Sequence, residues 1–140
     1  MRNKHENIYG QKQEWGPGAI TETVRSLVPR DTVITMDSGA HRILISQAWR
    51  TYVPRSALQS SAFCTMGCAL PLATGAKLAD PGRVVVAFMG DGGLEMVLGE
   101  LITLRDLGLP VIVIVFVDAS LALIENCLLY TSPSPRDGSI

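Results

Sequence analysis

Two continuous apolar runs dominate the pattern of hydrophobic and polar positions along the chain. They occupy residues 84–89 and 111–117, and each has the length of a strand that is covered on both faces of a parallel sheet. Between them, a Gly-rich turn at 90–93 is followed by apolar residues at helical spacing, until Gly108 and Pro110 end the helix. The order strand, turn, helix and strand predicts a right-handed βαβ crossover, and therefore a parallel sheet.

The upstream half of the chain predicts shorter elements of the same kind. The pattern indicates a helix from Pro17 to the residue before Pro29, a strand at 32–36, a helix at 41–49 and a buried helix at 67–79. Residues 50–65 have no regular period and are expected to be irregular. We therefore predict an α/β fold in three layers, in which a parallel sheet of three strands carries helices on both faces.

The 140 residues allow one domain, which we place at 17–125. Residues 1–16 are polar and lack a period, so they are expected to form a linker. Residues 126–140 fit neither period, and they are either a disordered tail or non-native sequence that resembles the adapter-derived ends of some conceptual translations. We assign no function to this tail, and we expect the domain to be truncated at its C-terminal end because the sheet stops after three strands.

Composition excludes several classes of protein. Only 18% of the residues are charged and the net charge is −1, so the chain has no basic face for nucleic acid. No apolar run approaches the roughly 18 residues that a membrane span requires. The three cysteines, Cys64, Cys68 and Cys127, form no CxxC pair, and we expect them to be free thiols that pack as small apolar side chains in a reducing, cytoplasmic protein.

Two acidic residues follow the two long apolar strands, where the carboxyl ends of parallel strands meet. Asp91 follows the first strand and Asp118 follows the second, so both carboxylates are expected at the same ligand-binding edge of the sheet. Two carboxylates suit a hard divalent cation, and the glycines at 90–93 let a backbone approach a phosphate closely. Two ordinary acidic loop caps would give the same spacing, so both interpretations stay open at this point.

Other phosphate-binding motifs fit less well. Gly75 and Lys77 are the nearest approach to a Walker A loop, but the required Gly-Lys adjacency is missing. In a dinucleotide fingerprint, the third glycine would stand where this chain has Glu95. Because Asp118 could serve as the acid that binds a ribose, a Rossmann-type nucleotide-binding domain stays as an alternative.

Three segments resemble the thiamin-diphosphate-dependent enzymes. Residues 90–118 resemble the family's thiamin-diphosphate motif, which runs from Gly-Asp-Gly to a pair of asparagines, and Asp118 stands where the second asparagine belongs. Upstream, residues 63–77 are similar to the segment that precedes this motif in acetolactate synthases, and residues 37–41 resemble their Asp-x-Gly-x-His stretch. The three segments occur in the family's order, so the resemblance covers most of residues 17–125.

This resemblance implies that the chain binds thiamin diphosphate and Mg²⁺. The side chains of Asp91 and Asp118, with the main-chain oxygen of Ser120, would ligate Mg²⁺. Met66 would wedge under the cofactor and bend it, which places the amino group of its pyrimidine beside the reactive carbon; an ordinary core methionine is the alternative. The cofactor-binding residues that the resemblance implies are Gly39, Ala40, His41, Cys64, Met66, Gly90, Gly92 and Gly93.

The implied roles divide between the two ends of the cofactor. The backbone amides of Gly92 and Gly93 would bind the diphosphate, and the segment at 39–41 would assist them. The backbone of Cys64 and Met66 would bind the aminopyrimidine edge. His41 could instead be a core histidine whose polar atoms are satisfied within the protein.

The implied enzyme resembles the acetolactate synthase large subunit, a lyase or transferase that acts on 2-oxo acids by decarboxylation followed by carboligation or acyl transfer. Its activating glutamate lies on a pyrimidine-binding domain of the same or a neighbouring subunit, and no part of this chain resembles that domain. We therefore predict no catalytic residue in the chain, no activity of the chain alone and a homo-oligomer when the protein is complete. A non-catalytic cofactor-binding fragment is the remaining alternative.

Overall fold

Four parallel strands form the centre of the molecule. The computed structural model describes residues 16–118, 120–124 and 127. The strands are β1 (Val33–Met36), β2 (Ala57–Gln59), β3 (Val85–Gly90) and β4 (Ile112–Phe116), and they lie in the order β2-β1-β3-β4. The helices are α1 (Pro17–Leu27), α2 (Ala40–Ala48), α3 (Ala69–Ala79), α4 (Asp91–Glu95) and α5 (Glu100–Asp106). The predicted α/β fold with a parallel sheet is confirmed.

The sheet separates two hydrophobic clusters, because successive side chains of a strand point to opposite faces. On one face, alternate residues of β1 and β3 pack against α3 and α5. The buried members of this cluster are Val33, Ala69, Leu70, Ala73, Val85, Ala87, Met89 and Leu104. On the other face they pack against α2 and the segments around it, with Ile34, Met36, Ile45, Trp49, Val86 and Phe88 as buried members. Helices therefore cover both faces, which gives the predicted three layers.

The strand order creates a switch point between β1 and β3. The chain passes from β1 to β2 at one side of the sheet and then returns to the other side of β1 to form β3. The loops that follow β1 and β3 therefore diverge, and they leave a crevice at the carboxyl ends of these strands. This crevice is the place at which open parallel sheets bind their ligands.

The prediction of three strands is wrong, because β2 forms within the segment 50–65 that we expected to be irregular. It pairs in parallel with β1, with Ile34 opposite Ala57 and Met36 opposite Gln59. The strand has only three residues, and the outer two are exposed. So short a strand at the edge of a sheet has no apolar run, and hydrophobic periodicity gives no signal for it.

The predicted crossover helix is divided into α4 and α5 by a turn at 96–99. Helix α4 begins at Asp91, so most of the segment predicted as a Gly-rich turn is the first turn of a helix. Glycines at 92, 93 and 99 weaken a continuous helix. The leucines of this segment also do not form one buried face, since Leu98, Leu101 and Leu107 are exposed.

Burial differs between the two long strands. Strand β3 is buried on both faces as predicted, but the first residue of β4 is exposed and its other residues are half-buried.

In the part of the chain that the structure describes, no helix is long and apolar enough to cross a membrane. The predicted linker, apart from Gly16, and the predicted tail, apart from Cys127, lie outside the described residues.

Candidate functional site

A cleft opens at the carboxyl edge of the sheet, beyond the ends of β1, β3 and β4. Its walls come from the start of α2, the loop that precedes α3, the start of α4 and the segment that follows β4. The lining residues are Ser38, Gly39, Ala40, His41, Cys64, Met66, Asp91, Gly92, Asp118, Ser120, Leu121, Ala122, Leu123 and Ile124. The cleft thus contains every predicted site residue except Gly90 and Gly93.

The two predicted metal-binding carboxylates each accept a hydrogen bond from a nearby backbone amide. Asp91 Oδ1 accepts one of 2.9 Å from the amide of Gly92, within the first turn of α4. Asp118 Oδ1 accepts one of 3.2 Å from the amide of Ser120 and so caps the loop after β4. Each of these bonds engages one carboxylate oxygen, so a local hydrogen bond and the ligation of a cation are compatible for either residue.

Within the described residues, no group of three or more His, Cys, Asp or Glu side chains converges on a point that could hold a metal ion. Asp91 and Asp118 are two carboxylates of one cleft. A Mg²⁺ ion bound here would therefore complete its oxygen shell with a main-chain carbonyl, water or the oxygens of a bound ligand.

His41 is buried at the back of the cleft, with 8% of its surface exposed. Its ring stacks on Phe116 of β4, with 5.4 Å between the ring centroids. A Cβ atom at Gly39, where φ is +154°, would lie 2.6 Å from the His41 ring, and one at Gly90 would lie 3.4 Å from it. Glycine at position 39 therefore makes room for the imidazole, and Gly90 lies beside the ring and not on the cleft wall.

The Nε2 atom of His41 is buried without a hydrogen-bond partner among the described residues. Burial lowers the pKa of the imidazole below its usual 6.5, although the negative charges of Asp37 and Asp118 oppose the shift. The neutral ring is therefore favoured at neutral pH. The alternative of a core histidine with satisfied polar atoms is wrong for Nε2 among the described residues.

The loop before α3 carries the two residues predicted to hold the pyrimidine end of a cofactor. Cys64 is exposed and has a positive φ of 48°. Arg42 donates a hydrogen bond of 3.3 Å to Cys64 Sγ and one of 3.2 Å to the carbonyl of Ser60. Met66 is half-buried and lines the cleft, with its terminal methyl 3.5 Å from the position of a Cβ at Gly92.

Small apolar packing is a wrong prediction for two of the three cysteines, because Cys64 and Cys127 are exposed. The third, Cys68, is half-buried at the start of α3, and its thiol contacts Met36 O at 3.8 Å. Burial raises the pKa of the Cys68 thiol, so the protonated form is favoured.

Asp37 is a fully buried carboxyl group at the end of β1 that the sequence analysis did not include among the site residues. Its Oδ2 accepts a hydrogen bond of 2.9 Å from the amide of Gly67, and its Oδ1 accepts one of 3.0 Å from the amide of Cys68. Two signals were available: its place directly after a strand, at the same edge as Asp91 and Asp118, and its position as the first residue of the segment 37–41 that resembles the family. Neither signal reveals which amides the carboxyl group meets.

Comparison with known proteins identifies the family. Residues 37–136 match the family model "Thiamine pyrophosphate enzyme, C-terminal TPP binding domain". The chain is 38% identical over 104 residues to the acetolactate synthase of Bacillus subtilis, and 37% identical over 107 residues to the acetolactate synthase isozyme 1 large subunit of Escherichia coli. These alignments cover 74% and 76% of this chain but 18% and 19% of the relatives, so the chain spans less than a fifth of their length.

A solved structure shares the fold of this chain. The chain aligns with a structure assigned as a thiamin diphosphate-dependent enzyme from Mycobacterium smegmatis, with a TM-score of 0.68 and 24% identity. The alignment covers 74% of this chain and 21% of that one. By the family match and the similarity to these acetolactate synthases, the chain belongs to the thiamine pyrophosphate enzyme family, and its residues 37–136 match the C-terminal, TPP-binding domain.

Proposed function

We propose that this chain supplies the Mg²⁺- and diphosphate-binding wall of an acetolactate-synthase-like enzyme that acts on 2-oxo acids. The observation that carries the proposal is the convergence of two carboxylates, a buried histidine and Met66 on one cleft at the switch point of the sheet. Ligands of open α/β sheets bind at this position. The family match supports thiamin diphosphate as the ligand.

The residues of the cleft fit this cofactor chemically. Asp91, Asp118 and the main-chain oxygen of Ser120 are oxygen ligands of the kind that Mg²⁺ prefers, and they leave coordination positions for diphosphate oxygens and water. A buried polar atom without a partner is costly, so the Nε2 atom of His41 would gain a hydrogen bond from a polar ligand group. The start of α2, a helix of nine residues, contributes backbone amides near the same point.

Thiamin diphosphate, when bound, supplies a carbon nucleophile that attacks the carbonyl of a 2-oxo acid and stabilises the charge left by decarboxylation. The residues of this chain bind and orient. In the proposal, Asp91 and Gly92 hold the diphosphate end, and the backbone of Cys64 and Met66 holds the pyrimidine end. The Met66 side chain, which approaches Gly92, would lie between the two ends and keep the cofactor bent.

A further protein surface would complete the site. The cleft has a volume of about 190 Å³, below the roughly 300–1,000 Å³ of clefts that enclose a small ligand. Next to the cleft, Val97 of the 96–99 turn packs against Gly67, so closely that a Cβ atom at Gly67 would collide with it. This turn and α5 expose an apolar surface formed by Met96, Leu98, Leu101 and Ile102. Apolar surfaces of this kind are typical of protein interfaces, so we propose that a pyrimidine-binding domain of the same or a neighbouring subunit covers it in a homo-oligomer.

Titration calorimetry of the purified chain tests the proposed ligand. We expect thiamin diphosphate to bind in the presence of Mg²⁺ and binding to be lost when EDTA removes the ion. NAD should give no heat of binding with or without Mg²⁺. Tight binding of NAD in the absence of Mg²⁺ would instead support the Rossmann-type alternative and overturn the proposal.

The reaction is tested in a protein that joins this domain to a pyrimidine-binding domain. With pyruvate, Mg²⁺ and thiamin diphosphate, we expect CO₂ release together with carboligation, as in a transferase of the acetolactate synthase type. Release of CO₂ without a ligated product would indicate a simple decarboxylase, and cofactor binding without turnover would support a non-catalytic subunit.

We propose the cytoplasm as the compartment, since Cys64 and Cys68 form no disulfide.

A further inference from the structure

The carboxyl group of Asp37 lies inside the protein behind the cleft wall and is 0% exposed. Its own amide donates a hydrogen bond of 2.9 Å to the carbonyl of Phe88, which continues the pairing of β1 with β3 past the last residue of β1. The position of Asp37 is therefore fixed by the two central strands of the sheet.

Both oxygens of this buried carboxyl group accept backbone N–H groups from the residues that lead into α3. The donors are Gly67 at 2.9 Å and Cys68 at 3.0 Å, and the Cys68 thiol lies 3.5 Å from the same oxygen that accepts the Cys68 amide. Amides at the start of an eleven-residue helix are strong partners for a carboxylate, because the helix dipole adds to the hydrogen bonds. Asp37 is thus tied to the end of the loop that carries Cys64 and Met66.

The same carboxyl group also contacts the start of the crossover segment. A Cβ atom at Gly93 would lie 1.9 Å from Asp37 Oδ2 and 3.4 Å from the amide nitrogen of Gly67. Gly67 has a φ of +77°, and a Cβ there would lie 2.8 Å from Val97 and 3.3 Å from the carbonyl of Gly93. The three backbone segments therefore meet around one carboxyl group, with no space for a methyl group at either glycine.

We infer that Asp37 is a positioning residue of the cleft, which sets the distance between its two walls. One wall carries Cys64 and Met66, and the other carries Asp91 and Gly92. Asp37 does not line the cleft, and it acts through the amides of 67–68 and through its contact with Gly93. The identity of the ligand rests on the proposed function, whereas the positioning role of Asp37 rests on these contacts.

A comparison of two ligands tests this inference in the 140-residue chain. Thiamin diphosphate with Mg²⁺ would contact both walls, whereas pyrophosphate with Mg²⁺ would contact only the wall of Asp91 and Gly92. In Asp37→Asn, an amide group replaces one acceptor oxygen and faces a backbone N–H, so we expect thiamin diphosphate to bind about tenfold more weakly or worse. The affinity for pyrophosphate should change by less than about threefold, within the spread of a surface substitution.

The matched control is Asp31→Asn, which makes the same change at an exposed position near the opposite end of β1. It should leave both affinities unchanged. Equal weakening of both ligands by Asp37→Asn would indicate general destabilisation and overturn the inference. An unchanged affinity for thiamin diphosphate would overturn it as well.

Amide hydrogen exchange, followed by NMR, gives a second measurement that needs no ligand. The amides of Gly67 and Cys68 should exchange at least about tenfold faster in Asp37→Asn than in the unmodified chain, while the amides of α1 keep their rates. If the unmodified chain binds no thiamin diphosphate, the proposed function fails, and this exchange comparison alone decides the inference. Unchanged exchange at 67–68 would overturn it.

A double-substitution cycle guards against a variant that fails to fold. Gly93→Ala should disturb the amides of 67–68 strongly when Asp37 is present, because its Cβ would collide with the carboxyl group. The same substitution should have a much smaller effect in an Asp37→Ala background, where the colliding oxygen is gone. Additive effects of the two substitutions would contradict a direct contact between Asp37 and Gly93.

Discussion

Three aspartates follow strands at the carboxyl edge of the sheet, and their surroundings give them different roles. Asp37 is buried and accepts two backbone amides, whereas Asp91 and Asp118 line the cleft and each accept one. A buried carboxyl group must find its partners within the protein, but a carboxyl group in a cleft can also meet a cation. The same residue type at three strand ends is therefore enclosed by backbone once and available to a ligand twice.

The first prediction at this scale separates the two carboxylates of the cleft. In a completed chain, Asp91→Ala should abolish the Mg²⁺-dependent retention of thiamin diphosphate, because the ion loses a charged oxygen ligand. Asp118→Asn should largely preserve it, since an amide oxygen can also ligate Mg²⁺ and the family motif has asparagine here. Retention is measured by gel filtration followed by assay of bound cofactor. Equal and mild losses from both substitutions would indicate loop caps without a metal-binding role.

The second prediction concerns the pH dependence contributed by His41. Burial lowers the pKa of His41 in the folded protein below the 6.5 of the unfolded chain, so the unfolded state takes up a proton first as the pH falls. The free energy of unfolding should therefore decrease as the pH drops below 6.5, by at most about 1.4 kcal/mol per pH unit for this one group. Above pH 6.5 the contribution of His41 should not vary.

Chemical denaturation between pH 5 and pH 8, without Mg²⁺ or cofactor, measures this slope. His41→Asn should flatten the decrease below pH 6.5, because it removes the titrating group. Identical slopes for the two proteins would contradict the prediction.

At the scale of elements, the crossover between β3 and β4 is shaped by its glycines. Helix α5 ends at Asp106, and Gly108, two residues further on, has a φ of +61°. The Gly108 amide donates to the carbonyl of Arg105, and the amide of Leu109 donates to the carbonyl of Leu104. These two bonds form a Schellman motif, in which the residue after the helix adopts a left-handed conformation that glycine reaches at no steric cost.

A matched pair of alanine substitutions compares a glycine in the left-handed conformation with a glycine inside a helix. Gly108→Ala should lower the free energy of unfolding by about 1–2 kcal/mol, because alanine is strained in the left-handed region. Gly75→Ala, within α3, should raise it by about 0.5–1 kcal/mol, because alanine is the better helix former. A Cβ at either position meets nothing within 4 Å, so packing does not complicate the comparison. Thermal or urea denaturation measures the free energy of unfolding of both variants. Changes of the same sign would contradict the left-handed conformation assigned to Gly108.

At the scale of the whole molecule, the two glutamates of the crossover segment lie outside the cleft. Glu95 is exposed at the end of α4, Glu100 is half-buried at the start of α5, and neither lines the cleft. Among the residues that the structure describes, no glutamate lines the cleft. Under the proposed function, a carboxyl group at the pyrimidine ring would come from a further domain, for which the exposed apolar surface of the 96–99 turn and α5 is the proposed contact.

The chain by itself should therefore lack decarboxylase activity. With pyruvate, Mg²⁺ and thiamin diphosphate, we expect the 140-residue chain to release no more CO₂ than the free cofactor does. Assistance by a general acid or base is worth roughly 10²–10⁴-fold, and no glutamate of the described residues lines the cleft to provide it. A coupled assay of CO₂ measures the rate, with the free cofactor and the Asp91→Ala chain as controls. Turnover that exceeds both controls would show that an activating acid lies within this chain.

Sequence reasoning found most of the cleft because its residues follow strands whose order along the chain was readable. Asp91 and Asp118 flank one crossover, and the parallel direction of the two strands that it joins places both at one edge. His41, Cys64 and Met66 came from the resemblance to a family, and the structure brings them to the same cleft. Asp37 was missed, because its partners Gly67 and Cys68 lie 30 and 31 residues further along the chain.

The sequence by itself determined the elements whose signal is local. The apolar run of β3, the helix that follows it and the acidic residue at each strand end are readable because backbone periodicity and turn chemistry act over a few residues. Only the tertiary structure decided the position of β2 at the sheet edge and the burial of His41 Nε2 without a hydrogen-bond partner among the described residues. It also decided which backbone amides surround the carboxyl group of Asp37. Each of these depends on contacts between segments far apart in the chain, and no local pattern encodes which distant amide, ring or strand will lie beside a given residue.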